Sequence, residues 1–202
     1  MCKCRRICKL LSVLRSETQI RRLEANASCR LFRKPFFDNF WVVAAEDFGH
    51  TLRYISADRI EDGAIVWAQI HSNFDKLSET CDTSGSSPFW FVECRTWPPS
   101  SLLAWDGLKN WLAQRLQADR PCVAAAFSSE QLIVGFADSA EFYNRLSHAQ
   151  STAPNNPLFR LPFLLRNEGP LAIAQIDVSL GKKVALKPAL RSQQSIELAL
   201  AP

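Results

Sequence analysis

Residues Leu102–Gln150 read LLAWDGLKNWLAQRLQADRPCVAAAFSSEQLIVGFADSAEFYNRLSHAQ, and the order of elements in this stretch decides the fold. Leu108, Trp111, Leu112 and Leu116 recur at helical spacing, with Lys109, Asn110, Gln114 and Gln117 off that face. Cys122–Phe127 is a short apolar run, Ser128–Gln131 a turn, and Leu132–Phe136 a second apolar run. A further amphipathic helix follows, with Phe142, Tyr143 and Leu146 on one side. The order helix, strand, tight turn, strand, glycine, helix predicts an α+β fold, with a mixed sheet built on a helix–hairpin–helix core.

Outward from this stretch the signals weaken. Trp41–Ala45 and Thr51–Ile55 read as strands joined by a loop over Glu46–His50. Ala64–Ile70 reads as a third strand, Ser72–Ser87 as a polar loop with room for one helical turn over Phe74–Leu77, and Phe89–Arg95 as a fourth strand that Pro98 and Pro99 end. After a break at residues 151–157, Leu158–Leu165, Leu171–Val178 and Lys183–Leu186 read as short β elements, with Ile196–Leu200 as a final edge. The expected organisation is a basic, partly helical N-terminal arm over residues 1–34 and a single α+β domain over 35–202, as suits a chain of 202 residues.

Charge draws the boundary of the arm. Residues 1–34 hold ten Lys and Arg against Glu17 and Glu24, a balance of +8 that leaves −4 for the rest of a chain whose total is +4. Ile7, Leu10, Leu11 and Leu14 would share one face of a helix bordered by Arg5, Arg6, Lys9 and Arg15. Two readings stand: a helix that meets phosphates or an anionic membrane surface, or a plain structural segment, either a solvated arm or a helix packed on the domain. Under the first, Arg5, Arg6, Lys9, Arg15, Arg21 and Arg22 are the nucleic-acid-binding candidates. No apolar run approaches the length of a membrane span, and the short Leu10–Leu14 run is followed by charge, so a cytoplasmic protein is expected, with peripheral contact at the inner face of the inner membrane as an option for the arm. Seven scattered cysteines read as reduced thiols. Cys2, Cys4 and Cys8 lack the paired short spacings of a zinc site, so no metal site is expected there.

The catalytic motifs are incomplete. No G-x-S-x-G elbow, Walker loop or G-x-G-x-x-G occurs, and His50, His71 and His148 fall in no metal-binding spacing. Asp47-Phe48-Gly49 matches a kinase tripeptide without the loops that give it meaning. Trp90, Trp97, Trp105 and Trp111 lie close in sequence and read as core or a protein-binding patch ahead of a platform for bases. The sharpest local signal is Asp138-Ser139-Ala140-Glu141, a capping-box pattern with Asp138 as the cap.

The order of elements in Leu102–Gln150 resembles the core of the ParB/sulfiredoxin fold, in which the second strand of the hairpin ends in a Gly-x-x-Arg-like loop that holds nucleotide phosphate. The matching loop is Gly135-Phe136-Ala137-Asp138; Asp138 stands where the arginine would, and the nearest basic residue in the next helix is Arg145. The basic arm makes the chain similar to plasmid fertility-inhibition proteins of the Osa kind, which block transfer of DNA–protein substrates through type IV secretion systems. The resemblance implies ATP with a divalent cation, DNA or a nucleoprotein transfer substrate, contact with a secretion-system component, and ATPase and DNase activity. It assigns Gly135 as the phosphate-loop glycine with Ser139 beside it for the cofactor. Asp138 and Glu141 become the candidates for metal or proton-transfer roles. The competing expectation is a non-catalytic, protein-binding inhibitor or immunity-type adaptor.

Overall fold

A computed structural model describes residues 9–48, 51–95, 97–152, 158–167, 169–178 and 184–188. In chain order the elements are β1 (Lys9–Ser16), α1 (Glu17–Ala27), β2 (Arg33–Phe37), β3 (Phe40–Asp47), β4 (Leu52–Tyr54), α2 (Gly63–Ser78), β5 (Cys81–Ser86), β6 (Phe89–Cys94), α3 (Leu108–Arg115), β7 (Cys122–Ser128), β8 (Gln131–Phe136), α4 (Ala140–Ser151), β9 (Phe163–Leu164), β10 (Leu171–Val178) and β11 (Val184–Pro188). Short 3-10 turns over Ala57–Arg59 and Pro99–Ala104 join them. The α+β class is as expected. Every strand pairing among the described residues is antiparallel, so two antiparallel sheets stand where one mixed sheet was expected.

The first sheet has β1, β3 and β2 in that order, with β4 also on β3. Residues 9–16 were expected to be helical and are strand: β1 pairs with β3 over its whole length, from Lys9↔Asp47 to Ser16↔Phe40. Leu11, Ser12, Val13 and Leu14 are all buried, so both faces of β1 are covered. A run of leucines at helical spacing thus becomes a strand, because the apolar surface of β3 is available to it. Residues 9–34 are pinned to the body by this pairing. The outer edge of β1 is closed by side chains: Asn73 Nδ2 donates to the Leu10 carbonyl at 2.7 Å, Trp97 Nε1 to that of Ser12 at 3.0 Å, and Arg15 Nη1 to that of Leu14 at 2.9 Å. These are alternate residues, so their carbonyls point the same way and would otherwise form an open template for another strand. Ser16 begins α1 with a capping box, reciprocated by Gln19.

The largest departure is α2. Ala64–Ile70 was expected to be a strand and is the first half of a helix, and the expected polar loop over Ser72–Ser87 holds the rest of α2 and then β5. Asp62 caps the helix, its carboxylate accepting from the amides of Ala64 and Ile65. Ile70, Phe74 and Leu77 are buried at helical spacing. The β-branched and aromatic run Ile65-Val66-Trp67 favours a strand locally, and burial of that helical stripe outweighs the preference.

The second sheet has seven strands in the order β11–β10–β9–β7–β8–β6–β5. Only Phe163–Leu164 of the expected Leu158–Leu165 strand pairs, whereas β10 matches the expected Leu171–Val178. Residues 196–200 lie outside the described residues. Rings join the two sheets at the β2–β3 turn: Phe36 lies 5.8 and 5.7 Å from Phe159 and Phe163, Phe37 lies 5.6 Å from Phe163, and Phe40 lies 4.4 Å from Phe159. Trp97, Trp105 and Trp111 are buried in the same core, so most of the tryptophan cluster is packing. Cys81 and Cys94, directly opposite on β5 and β6, form a disulfide, which corrects the expectation of reduced thiols for this pair. Cys29 and Cys122 are free.

Candidate functional site

The expected phosphate loop lies where β8 leaves the second sheet. Gly135 sits in the body of β8, opposite Val123 of β7 and Phe89 of β6. A methyl group on Gly135 would overlap the ring of Phe142, which is fully buried over it. Gly135 therefore lets α4 approach the sheet closely. Beyond it the chain turns into α4: the Ala137 amide donates to the Pro121 carbonyl at 2.8 Å, and the Tyr143 hydroxyl to the Ala137 carbonyl at 3.0 Å. Burial pushes the Tyr143 hydroxyl well above its usual range, so it stays a donor here.

The cap of α4 is Ser139, whose Oγ accepts from the Phe142 amide at 3.2 Å. This corrects the expectation that Asp138 caps the helix. Asp138 instead pairs with Arg120, whose guanidinium lies 4.1 Å from the centre of the Phe136 ring. Glu141 pairs with Arg145 one turn on, at 2.7 Å. The structure thus brings Gly135, Asp138, Ser139 and Glu141 together at one helix start. Each has a structural partner: a ring, a guanidinium, a backbone amide and a second guanidinium. Both carboxylates are exposed.

Arg120 is the residue that sequence reasoning missed. Its guanidinium reaches Asp138 from the segment before β7. The pairing follows from strand register, which the fold sets: β7 and β8 place Cys122 opposite Phe136, and two residues further on each strand come Arg120 and Asp138. Cys122 itself is buried beside this pair. Its thiol is pushed up from 9.0 to about 11, chiefly by desolvation, with Arg120 acting in the opposite sense.

The nucleic-acid-binding candidates separate on the first sheet. Arg5 and Arg6 lie outside the described residues, and Lys9 starts β1. Arg15 is held by the Tyr54 hydroxyl, which accepts from its Nε at 2.9 Å. Arg21 pairs with Glu17 at 3.0 Å, whereas Arg22 is exposed with no partner among the described residues. Arg33, half-buried, stacks on Trp41 with its guanidinium 4.5 Å from the ring centre and lies 3.8 Å from both Glu17 and Glu24. The Arg21 hydrogen bond, before all else, holds the Glu17 carboxyl below its usual range; Trp41 and Arg33 act the same way and burial opposes them. Arg33 and Glu24 therefore serve the fold, and Arg22 and Arg30 are exposed with no ion pair among the described residues.

No group of three or more His, Cys, Asp or Glu residues that could hold a metal ion is found among the described residues; Cys2, Cys4 and Cys8 lie outside them. No helix of the described residues is long and apolar enough to cross a membrane. Comparison with protein-family models, curated proteins and solved structures finds no match to this chain, so the candidate site rests on its own geometry.

Proposed function

We propose that this chain is a cytoplasmic, plasmid-encoded fertility inhibitor that binds a DNA–protein transfer substrate through its basic face and blocks passage through a conjugative or type IV secretion system. The observation that carries the reading is the placement of charge. The first 34 residues hold a balance of +8, and Arg22 and Arg30 stay exposed on the fold that those residues enter. A phosphate backbone is the polyanion that such exposed guanidiniums suit. The ParB/sulfiredoxin resemblance of Leu102–Gln150 guides the choice of substrate, and α3, β7, β8 and α4 follow one another there as helix, strand, strand, helix.

ATP and a divalent cation belong to a catalytic form of this proposal, with Asp138 and Glu141 as the reacting carboxylates and Gly135 and Ser139 next to the phosphates. Each of those four residues already has a structural partner, so inhibition by binding asks less of the site. The test is retention of labelled single-stranded and duplex DNA across a salt series, with and without ATP and magnesium. Retention at low salt that falls steeply with added salt is expected. The triple variant Arg21→Glu, Arg22→Glu, Arg30→Glu loses it on the order of tenfold or more, with thermal unfolding near that of the parent. Absence of retention of either DNA overturns the proposal. Cleavage that needs ATP and magnesium and disappears in Glu141→Gln selects the catalytic form.

One observation favours the competing reading, a non-catalytic protein-binding inhibitor or adaptor. Ala64, Ile65, Ala68, Gln69 and Ser72 form an exposed stripe of α2 without a charge, and Ile65 is 68% exposed. Surface helices ordinarily carry charge on such a face. Under this reading Ile65→Asp abolishes transfer inhibition in a mating assay while DNA retention persists.

A further inference from the structure

We propose that Cys81 and Cys94 form a reversible dithiol–disulfide switch that decides whether edge strand β5 stays on the seven-stranded sheet. The two residues are direct partners across β5 and β6, with Cα atoms 4.4 Å apart. They occupy the open end of the hairpin, where the chain arrives from α2 and leaves toward the Pro99–Ala104 turn. The bond therefore closes the hairpin into a ring across a separation of 13 residues.

The rest of β5 has little else to hold it. Its sequence is Cys-Asp-Thr-Ser-Gly-Ser, poor in the β-branched and aromatic residues that strands use. Every side chain after Cys81 is exposed or half-exposed. Among the described residues β5 pairs on one side only, with β6. Outside the ladder its described side-chain hydrogen bonds and ion pairs are a Ser84–Glu93 hydrogen bond, the Asp82 carboxylate accepting from the Thr83 amide at 2.8 Å, and a 3.5 Å contact of Arg115 with Asp82. Arg115 also donates to the Cys81 carbonyl at 3.1 Å, at the start of the strand.

Access to the two sulfurs differs. Cys94 is half-buried and Cys81 is buried, so a small reagent reaches Cys94 first. With a low-molecular-weight disulfide such as oxidised glutathione, the Cys94 thiol loses its proton and attacks one sulfur; the reagent's S–S bond breaks, and one glutathione leaves as a thiolate that takes up a proton. Cys81, deprotonated in turn, attacks the Cys94 sulfur of the mixed disulfide and expels the second glutathione. Two protein thiols are oxidised by two electrons, and one glutathione disulfide is reduced to two thiols. Reduced glutathione in excess drives the reverse steps. Opening frees the β6 edge, Phe89–Cys94, for pairing with another strand.

The full chain is equilibrated with oxidised or with reduced glutathione, acid-quenched, alkylated under denaturing conditions and mapped by mass spectrometry, with backbone hydrogen exchange followed in parallel. Cys81 and Cys94 should be protected together in the oxidised sample and alkylated together in the reduced one, while Cys29 and Cys122 are alkylated in both. Exchange in residues 81–86 should quicken on reduction by about tenfold or more, while residues 122–128 are unchanged. The Cys81→Ser, Cys94→Ser double variant should exchange like reduced wild type under both conditions. The wild-type comparison needs no variant, so a folding defect in the double variant leaves the test intact. The proposal is overturned if both cysteines remain alkylatable after oxidation, or if the disulfide forms and exchange in β5 does not change.

Discussion

The ring of Phe142 lies where a side chain at position 135 would project, and this contact defines what the glycine does. Gly135→Ala should therefore destabilise the fold by about 1–3 kcal/mol, as overpacked cores do, measured as a lower urea midpoint. Glu141→Gln removes one exposed ion pair and should stay within about 0.5 kcal/mol of the parent in the same measurement. The cap of α4 gives a second residue-level contrast. Ser139→Ala should cost about 1 kcal/mol through the lost amide acceptor. Asp138→Ala loses only a surface pair with Arg120 and should cost less; the reverse ranking in thermal unfolding would restore Asp138 as the cap. Cys122 adds a pH dependence. Its folded thiol titrates at about 11 against an ordinary 9.0, so its contribution is fully present below 9.0 and is lost as pH rises from there through 11. Stability of the wild type should fall more steeply over that window than stability of Cys122→Ala, read from urea midpoints at successive pH values.

At the scale of elements, β1 and α2 show how neighbours decide secondary structure. Leu10, Leu11 and Leu14 satisfy a helical period, yet they lie in a strand because β3 offers a complete antiparallel ladder. What keeps that strand from exposing its edge is a set of donors far away in sequence, Asn73 on α2 and Trp97 after β6. Asn73→Ala and Trp97→Phe should each leave a β1 carbonyl without its donor, at a cost of about 1 kcal/mol for the lost bond and more for Trp97, whose ring is also core. Hydrogen exchange along residues 9–16 is the check: both variants should loosen β1 ahead of β7. In α2 the helical period was present in the sequence, since Ile70, Phe74 and Leu77 recur at the right spacing and Asp62 is a good cap. Ile65, Val66 and Trp67 carry strand propensity at the start of the same segment and mask that period. The hairpin of β7 and β8, by contrast, was legible in full, because both strands are continuous apolar runs around a four-residue polar turn.

At the scale of the whole molecule, the two sheets are held together by phenylalanines from separate parts of the chain. Phe36, Phe37 and Phe40 arrive on the β2–β3 turn, and Phe159 and Phe163 follow α4 by several residues. Phe163 is fully buried, and Phe159 and Phe163 meet edge to face at 5.1 Å. Phe163→Ala should therefore cost about 3–5 kcal/mol, as large buried aromatics do. Calorimetry should show both sheets shifting together as one transition; a first sheet that melts at the wild-type temperature in this variant would show that the joint does not couple them.

Taken alone, the sequence determined the α+β class, the hairpin Cys122–Phe136 with its flanking helices, the apolar face of Phe142, Tyr143 and Leu146, and the concentration of positive charge near the start. These follow from periodicity, turn chemistry and counting, which are local properties of a chain. Tertiary structure decided the rest: β1 as a strand, α2 as a helix, two antiparallel sheets, the Cys81–Cys94 bond, and Arg120 as the partner of Asp138. Each of these depends on which distant segment lies alongside. An apolar run takes the conformation that buries it best, a cysteine pairs with whichever cysteine the register sets opposite, and a carboxylate is met by the nearest guanidinium across the hairpin.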